Sequence, residues 1–209
     1  IGIASWFYFS NLDNVPFHPD EATQIFMSTD VDQFIDNPLS LAWSPGNSPD
    51  PRLRYRLIDA PLTRTVIGVA RIITGYPPLP QDWNWSESWQ TNQASGALPP
   101  NNLLHLARLS VAVFFPFTLL CLYFAVKETF TPLPAMVATL LFAFNALILL
   151  HTRRAMAESL LVFFICLSLF SLVKFTEKPW LTAFPIVLAI NAKQSALPLV
   201  LVGLFAILI

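Results

Sequence analysis

The sequence is poor in charge. Only 12% of its 209 residues are Asp, Glu, Lys or Arg, against 55% hydrophobic. That balance excludes an ordinary soluble domain and places the chain among polytopic membrane proteins. Net charge is small as well, at −1, which argues against a nucleic-acid partner. Cysteine is scarce: Cys121 and Cys166 each sit inside an apolar run and read as small buried hydrophobes, not as a disulfide or a metal pair. No Gly-rich phosphate loop, G-x-S-x-G elbow, H-E-x-x-H or C-x-x-C occurs, and no internal repeat is evident. There is no initial Met, and Ile209 lies within an apolar run. The chain reads as an N-terminal piece of a longer protein, its first span cut at the start and its last cut midway.

What is present falls into two parts. Residues 1–12 (IGIASWFYFSNL) are apolar and aromatic. They are too few to cross a bilayer, which takes about 20 residues, and fit the outer end of a first transmembrane helix. Residues 13–102 hold most of the prolines and ten of the thirteen acids, and form a loop too long for a connector. Within it, "PDEATQIFMSTDVDQFI" predicts a short helix with Pro19 in its first turn. "NPLSLAWSPGNSPDP" is proline-rich. "LIDAPLTRTVIGVARIITG" predicts an amphipathic helix in the membrane interface, with Arg64 and Arg71 interspersed. The segment with Trp83, Trp85 and Trp89 reads as irregular and interfacial. Residues 103–209 carry the apolar spans 103–126, 132–150 and 155–173, then 179–190 and 196–209, two spans joined at "NAKQS". The expected fold is an all-α polytopic bundle, with a long first extracytoplasmic loop carrying short interfacial helices.

Alternation of spans gathers three charged segments on one face of the membrane: "HPDE" from His18, "HTRRAMAE" from His151, and "NAKQS" from Asn191. Lys127, Lys174 and Lys178 fall on the other, cytoplasmic face, as the positive-inside rule prefers. Arg153 and Arg154 break that rule in a tight turn, so either the orientation is reversed or they are kept for function.

Asp20 and Glu21 suit the first turn of a helix, where acids complement the dipole. They also suit a general base placed where the first span meets the loop. Arg153 and Arg154 suit a phosphate; on a helix Arg154 and Glu158 would share a face as an ion pair. Lys193 is either a snorkelling lysine or a point charge for the same anion. His18 and His151 stand where they would join Asp20 or Glu21 around a divalent metal ion, although structural or interfacial histidines fit their spacing better. Arg52, Arg54 and Arg56 alternate as a solvated charge run or a membrane-surface contact.

In order and placement these segments resemble the GT-C superfamily of membrane glycosyltransferases, nearest the protein O-mannosyltransferase and aminoarabinose-transferase branch. "HPDEA" is similar to the family's Asp-Glu motif in the first extracytoplasmic loop. "DAPL" followed by "IITG" resembles its Pro-Pro-Leu stretch, with Ala60 in place of a first Pro. "LARLSVAVFF" resembles the Arg-Leu start of the next span. "HTRRAMAESLLVFF" resembles the Arg-and-acid turn, and "NAKQSALPLV" the K-x-x-x-L segment. A Trp-rich insertion before Leu103 is a departure.

The resemblance implies sugar transfer with inversion, from a polyprenyl- or dolichyl-phosphate donor to a hydroxyl acceptor, on the extracytoplasmic face. Asp20 would be the base and Glu21 a supporting or capping acid. Arg153, Arg154 or Lys193, with Glu158, would bind the donor phosphate, and a divalent metal ion is a candidate cofactor. A transporter fragment and a membrane assembly subunit without activity are the competing readings; the long acidic loop favours the enzyme.

Overall fold

The computed structural model describes residues 1–42, 50–178 and 180–208. Among them the regular structure is helical throughout. Helix α1 spans Gly2–Ser10, α2 Pro19–Met27, α3 Asp30–Asp36, α4 Pro51–Ile58, α5 Leu62–Thr74 and α6 Trp89–Ala94. The apolar half follows with α7 Asn101–Ala112, α8 Phe115–Thr129, α9 Pro132–Ala143, α10 Ala146–Thr152, α11 Ala157–Lys174, α12 Trp180–Ala192 and α13 Leu199–Leu208. Residues 43–49 of the proline-rich stretch lie outside the described residues, as do Pro179 and Ile209.

Apolar composition makes the bundle. Helices α7 and α8 run on as a 29-residue apolar unit from Asn101 to Thr129, and α11 is an 18-residue one. At about 1.5 Å per residue, α11 is about 27 Å long, close to the ~30 Å of a hydrocarbon core. The expected span 132–150 is instead broken, with α9 and α10 meeting at 60°. Asn145 is the cause in view: its Oδ1 accepts from the backbone N–H groups of Leu147 and Ile148 and so starts a new helix. The segments expected at 179–190 and 196–209 are two short apolar helices separated near Lys193. Helix α11 packs between α8 and α12, and α9 lies against α8. Large apolar side chains of α9 and α12, such as Leu141 and Phe184, face outward, as a lipid-facing surface requires. The short α1 joins this bundle through Tyr8, whose ring stacks on Phe115 at 3.8 Å and whose hydroxyl donates to Thr152 O.

In the loop, the expected amphipathic helix exists as α5, but its arginines are not at an interface with water. Arg64 and Arg71 are buried. Arg71 pairs with Asp32 and donates to Ser28 Oγ, while Arg64 and Arg56 both approach Asp30. The apolar residues Val69 and Ile73 are the exposed ones. The arginine side of α5 therefore packs on α3, Ile67 enters the core, and Val69 and Ile73 face out. Gly68 permits this approach: a Cβ there would fall 2.5 Å from Ser28 O. The arginines alternating along α4 divide likewise, with Arg52 donating to Thr29 Oγ1, Arg56 on Asp30, and Arg54 exposed.

One carboxylate joins the loop to the bundle. Helix α2 opens with Pro19 in its first turn, and His18 caps it by accepting from Asp20 N–H. Glu21 closes the reciprocal bond from His18 N–H at 3.0 Å. Its two oxygens also take Arg108 Nε and Nη2 of α7 at 2.8 and 2.9 Å, and the Ala155 N–H at 2.9 Å. Both partners of this fork are buried, Glu21 completely. Removing one charge strands the other without water. Glu21→Gln and Arg108→Leu should each lose roughly 3–5 kcal/mol of stability, as broken buried pairs do. Melting of the full chain in mild detergent would show this, and parent-like melting of both variants would remove the pair from its structural role.

Candidate active site

A cavity of about 450 Å³ opens where α2, the α4–α5 link, the start of α11 and the α12–α13 link converge. Asp20, Asp59, Glu158 and Lys193 supply its charge, and Tyr55, Trp85, Thr23 and Gln24 add polar and aromatic walls. The expected convergence of "HPDE", the acid of "HTRRAMAE" and "NAKQS" is thus present in space.

Helix phase explains why adjacent acids part company. Asp20 and Glu21 are about 100° apart around α2, since a turn takes 3.6 residues. At the third helical position, Glu21 turns back to the cap and the bundle. Asp20 turns to the cavity, with its side chain 51% exposed and Oδ2 3.5 Å from His18 Nδ1.

The other expected residues divide in the same way. Lys193 lines the cavity and donates to Glu158 Oε1 at 2.6 Å. The partner expected for Glu158 was Arg154, but α11 begins only at Ala157, so Arg154 precedes the helix and the four-residue spacing does not align them. Arg154 Nε donates to Pro16 O instead. Arg153 is buried and donates to the carbonyls of Tyr8 and Phe7. Neither arginine is among the cavity's lining residues. His151 lies in the last turn of α10, and His18 serves as the cap of α2. Among the described residues no three His, Cys, Asp or Glu side chains come together as a metal-binding group.

Sequence reasoning passed over Asp59, Tyr55 and Asp82. Tyr55 and Thr23 both donate to Asp82, at 2.6 and 2.8 Å, which fixes the cavity wall between α2 and α4. Asp59 stood in the quoted "DAPL" segment, two residues before Pro61, the N-cap of α5, and that placement was the available signal. Two further oxygens, Gln24 Oε1 and Glu158 Oε2, are buried without a hydrogen-bond partner. Buried acceptors in that condition are costly and invite donors from a ligand.

Burial, with the charges of Asp20 and Asp82 adding to it, raises the Asp59 carboxyl above its ordinary 3.8, against the opposing Arg64 and Lys193. The folded chain therefore holds this proton to higher pH than the unfolded chain does. Its contribution to stability is fully present below 3.8 and is lost as pH rises through the folded-state value. Asp59→Asn should melt with a shallower decline than the parent as pH rises from 3.8. Melting curves against pH test this, and equal slopes would remove Asp59 from the cavity's charge balance.

Residues 54–208 match the family model of the dolichyl-phosphate-mannose-protein mannosyltransferases. No curated protein and no solved structure matches the chain significantly. The match takes in most of the sequence, and the chain belongs to this family of membrane glycosyltransferases.

Proposed function

Starting from that family membership, we propose that the cavity is where a sugar leaves a polyprenyl phosphate, dolichyl phosphate being the family's carrier, and joins a hydroxyl acceptor with inversion. The observation that carries this reading is the cavity's lining. The helix-start acid Asp20, the acids Asp59 and Glu158 and the single lysine Lys193 share one space at the end of apolar helices.

The donor is a membrane lipid, so its phosphate and sugar arrive at the bilayer surface. Two lysine–acid pairs sit at the two ends of α11, Lys193–Glu158 at the cavity and Lys174–Glu128 at the far end. With Lys127, Lys174 and Lys178 on the far side, the positive-inside rule favours an extracytoplasmic cavity.

Asp20 receives the proton of the acceptor hydroxyl. The acceptor oxygen bonds to the anomeric carbon as the carbon–oxygen bond to phosphate breaks on the opposite face, which inverts the centre. The electron pair leaves with the phosphate, and Lys193 faces the charge that develops there. Glu158, 2.6 Å away, holds the lysine in place. Sugar hydroxyls meet the polar wall of Thr23, Gln24 and Tyr55. Arg153 and Arg154 hold residues 7–16 against the turn before α11 and so shape the cavity indirectly. The divalent ion that the sequence left as a candidate has no part in this scheme.

In the full chain, Asp20→Asn should lower turnover by roughly 10²–10⁴-fold, the span for loss of a general base. Donor binding and melting should stay near those of the parent, since Asn preserves the helix start. Lys193→Met should instead weaken donor binding, by roughly tenfold or more for a lost charge-assisted bond. The measurements are sugar transfer from a lipid-phosphate donor, with donor binding and melting on the same preparations. Parent-like turnover of Asp20→Asn would end its assignment as base. A greater loss of donor affinity in Arg153→Ala or Arg154→Ala than in Lys193→Met would move the phosphate to the turn.

A further inference from the structure

A second cavity, of about 550 Å³, shares no lining residue with the first. Arg56, Arg64 and Asp30 stand on one side of it, and Phe34, Leu41 and Val69 supply apolar walls. Arg64 is only 4% exposed. Its Nε comes to 3.0 Å of Asp30 Oδ2 without the alignment of a hydrogen bond, and its Nη1 is buried with no partner. Asp30 is already engaged by Arg56, through Nε at 3.0 Å and Nη2 at 2.7 Å on Oδ1. A single carboxylate thus serves two guanidinium groups. Asp59 adds charge near Arg64 but no hydrogen bond, so a buried guanidinium that lines an apolar-walled cavity keeps a donor without an acceptor. Such a group is unfavourable unless something anionic completes it.

The surroundings indicate what kind of anion. Phe34, Ile35, Leu39, Leu57 and Ile73 are exposed on α3, α4, α5 and the short turn Pro38–Leu41. Large apolar side chains exposed together on extramembrane helices mark a surface that meets lipid. A free anion from water would gain nothing from Phe34 and Val69. An amphiphile with an anionic head and an acyl chain matches both halves of the cavity. We propose that this cavity binds an anionic phospholipid of the surrounding bilayer, its phosphate on Arg64 and Arg56 and its chain along Phe34 and Val69. The lipid completes the Asp30 charge cluster and fixes α3 and α5 on the membrane surface. The proposal does not depend on the transfer chemistry of the other cavity.

The test uses the purified full chain in neutral detergent. It is titrated with dioleoylphosphatidylglycerol, with dioleoylphosphatidylcholine or with inorganic phosphate. Retained lipid is read by native mass spectrometry, and stabilisation by melting. Phosphatidylglycerol should be retained and should raise the melting temperature. Phosphatidylcholine, with the same chains and no net charge, should bind roughly tenfold more weakly or worse, and inorganic phosphate should do little. Arg64→Met leaves Asp30 its bonds from Arg56, so the fold should hold while phosphatidylglycerol retention falls by roughly tenfold or more. Phe34→Ser should weaken retention too. If Arg64→Met does not fold, Arg64→Lys replaces it, keeping the charge but losing the fork, and should also lower retention. Parent-like retention of phosphatidylglycerol in the folded Arg64 variant overturns the proposal. So does inorganic phosphate binding that rivals the lipid and ignores Phe34→Ser, which would make the site one for a free anion.

Discussion

The fork between Glu21 and Arg108 is the constraint on which the rest of this architecture hangs. Two opposite charges are buried together, and burial of either alone is prohibitive. Every acceptor position of the carboxylate is used: the guanidinium twice, the helix cap once and the turn before α11 once. Three segments far apart in sequence therefore have one relative placement. With Glu21 held, the direction of Asp20 follows from helix phase alone. The dipeptide's two readings, helix-start acid and working acid, are divided between two adjacent residues.

The loop obeys a similar rule. Its helices are too short to be stable alone, and they expose apolar side chains outward. What orders them is a buried apolar set, Ile25, Phe26, Met27 and Ile67, together with inward ion pairs, Asp30 with Arg56 and Arg64 and Asp32 with Arg71. A soluble amphipathic helix turns its charges to water; here part of the charge is buried beside the core. A layer lying on lipid has its apolar solvent beneath it, so its charges are the part that turns inward.

The apolar helices and the Pro19 start were legible because they are local signals, but α4 was not foreseen and α6 lies in the Trp-rich stretch that read as irregular, where Ser88 caps a short polar helix. Ordered short motifs also pointed to the right family, since each survives in its own segment. The break at Asn145 was missed: a single polar residue within an apolar run looks tolerable until its side chain is seen to cap a new helix. The pairing of Arg154 with Glu158 failed for a related reason. Spacing of four has meaning only inside a helix, and the helix starts between them. That Arg64 and Arg71 would be buried was not legible, since their partners lie more than 30 residues away. Likewise, nothing local marked Asp59 or Asp82 as neighbours of Asp20.

The charge of the first cavity adds a step to the proposed chemistry. Three carboxylates, Asp20, Asp59 and Glu158, line it with one lysine, and that lysine is already paired. A phosphate entering such a space is attracted by Lys193 and repelled by the acids around it. In the proposed chemistry, donor binding then rests on the lipid chain in the bilayer and on the sugar's polar contacts as well as on Lys193. Once the sugar has left, the hydroxyl contacts go with it, and the bare phosphate faces mostly negative neighbours. Burial and the charges of Asp20 and Asp82 raise the Asp59 carboxyl, a sign of how closely these acids are gathered. In the proposed scheme, holding the donor and expelling the spent carrier therefore turn on whether the sugar is present.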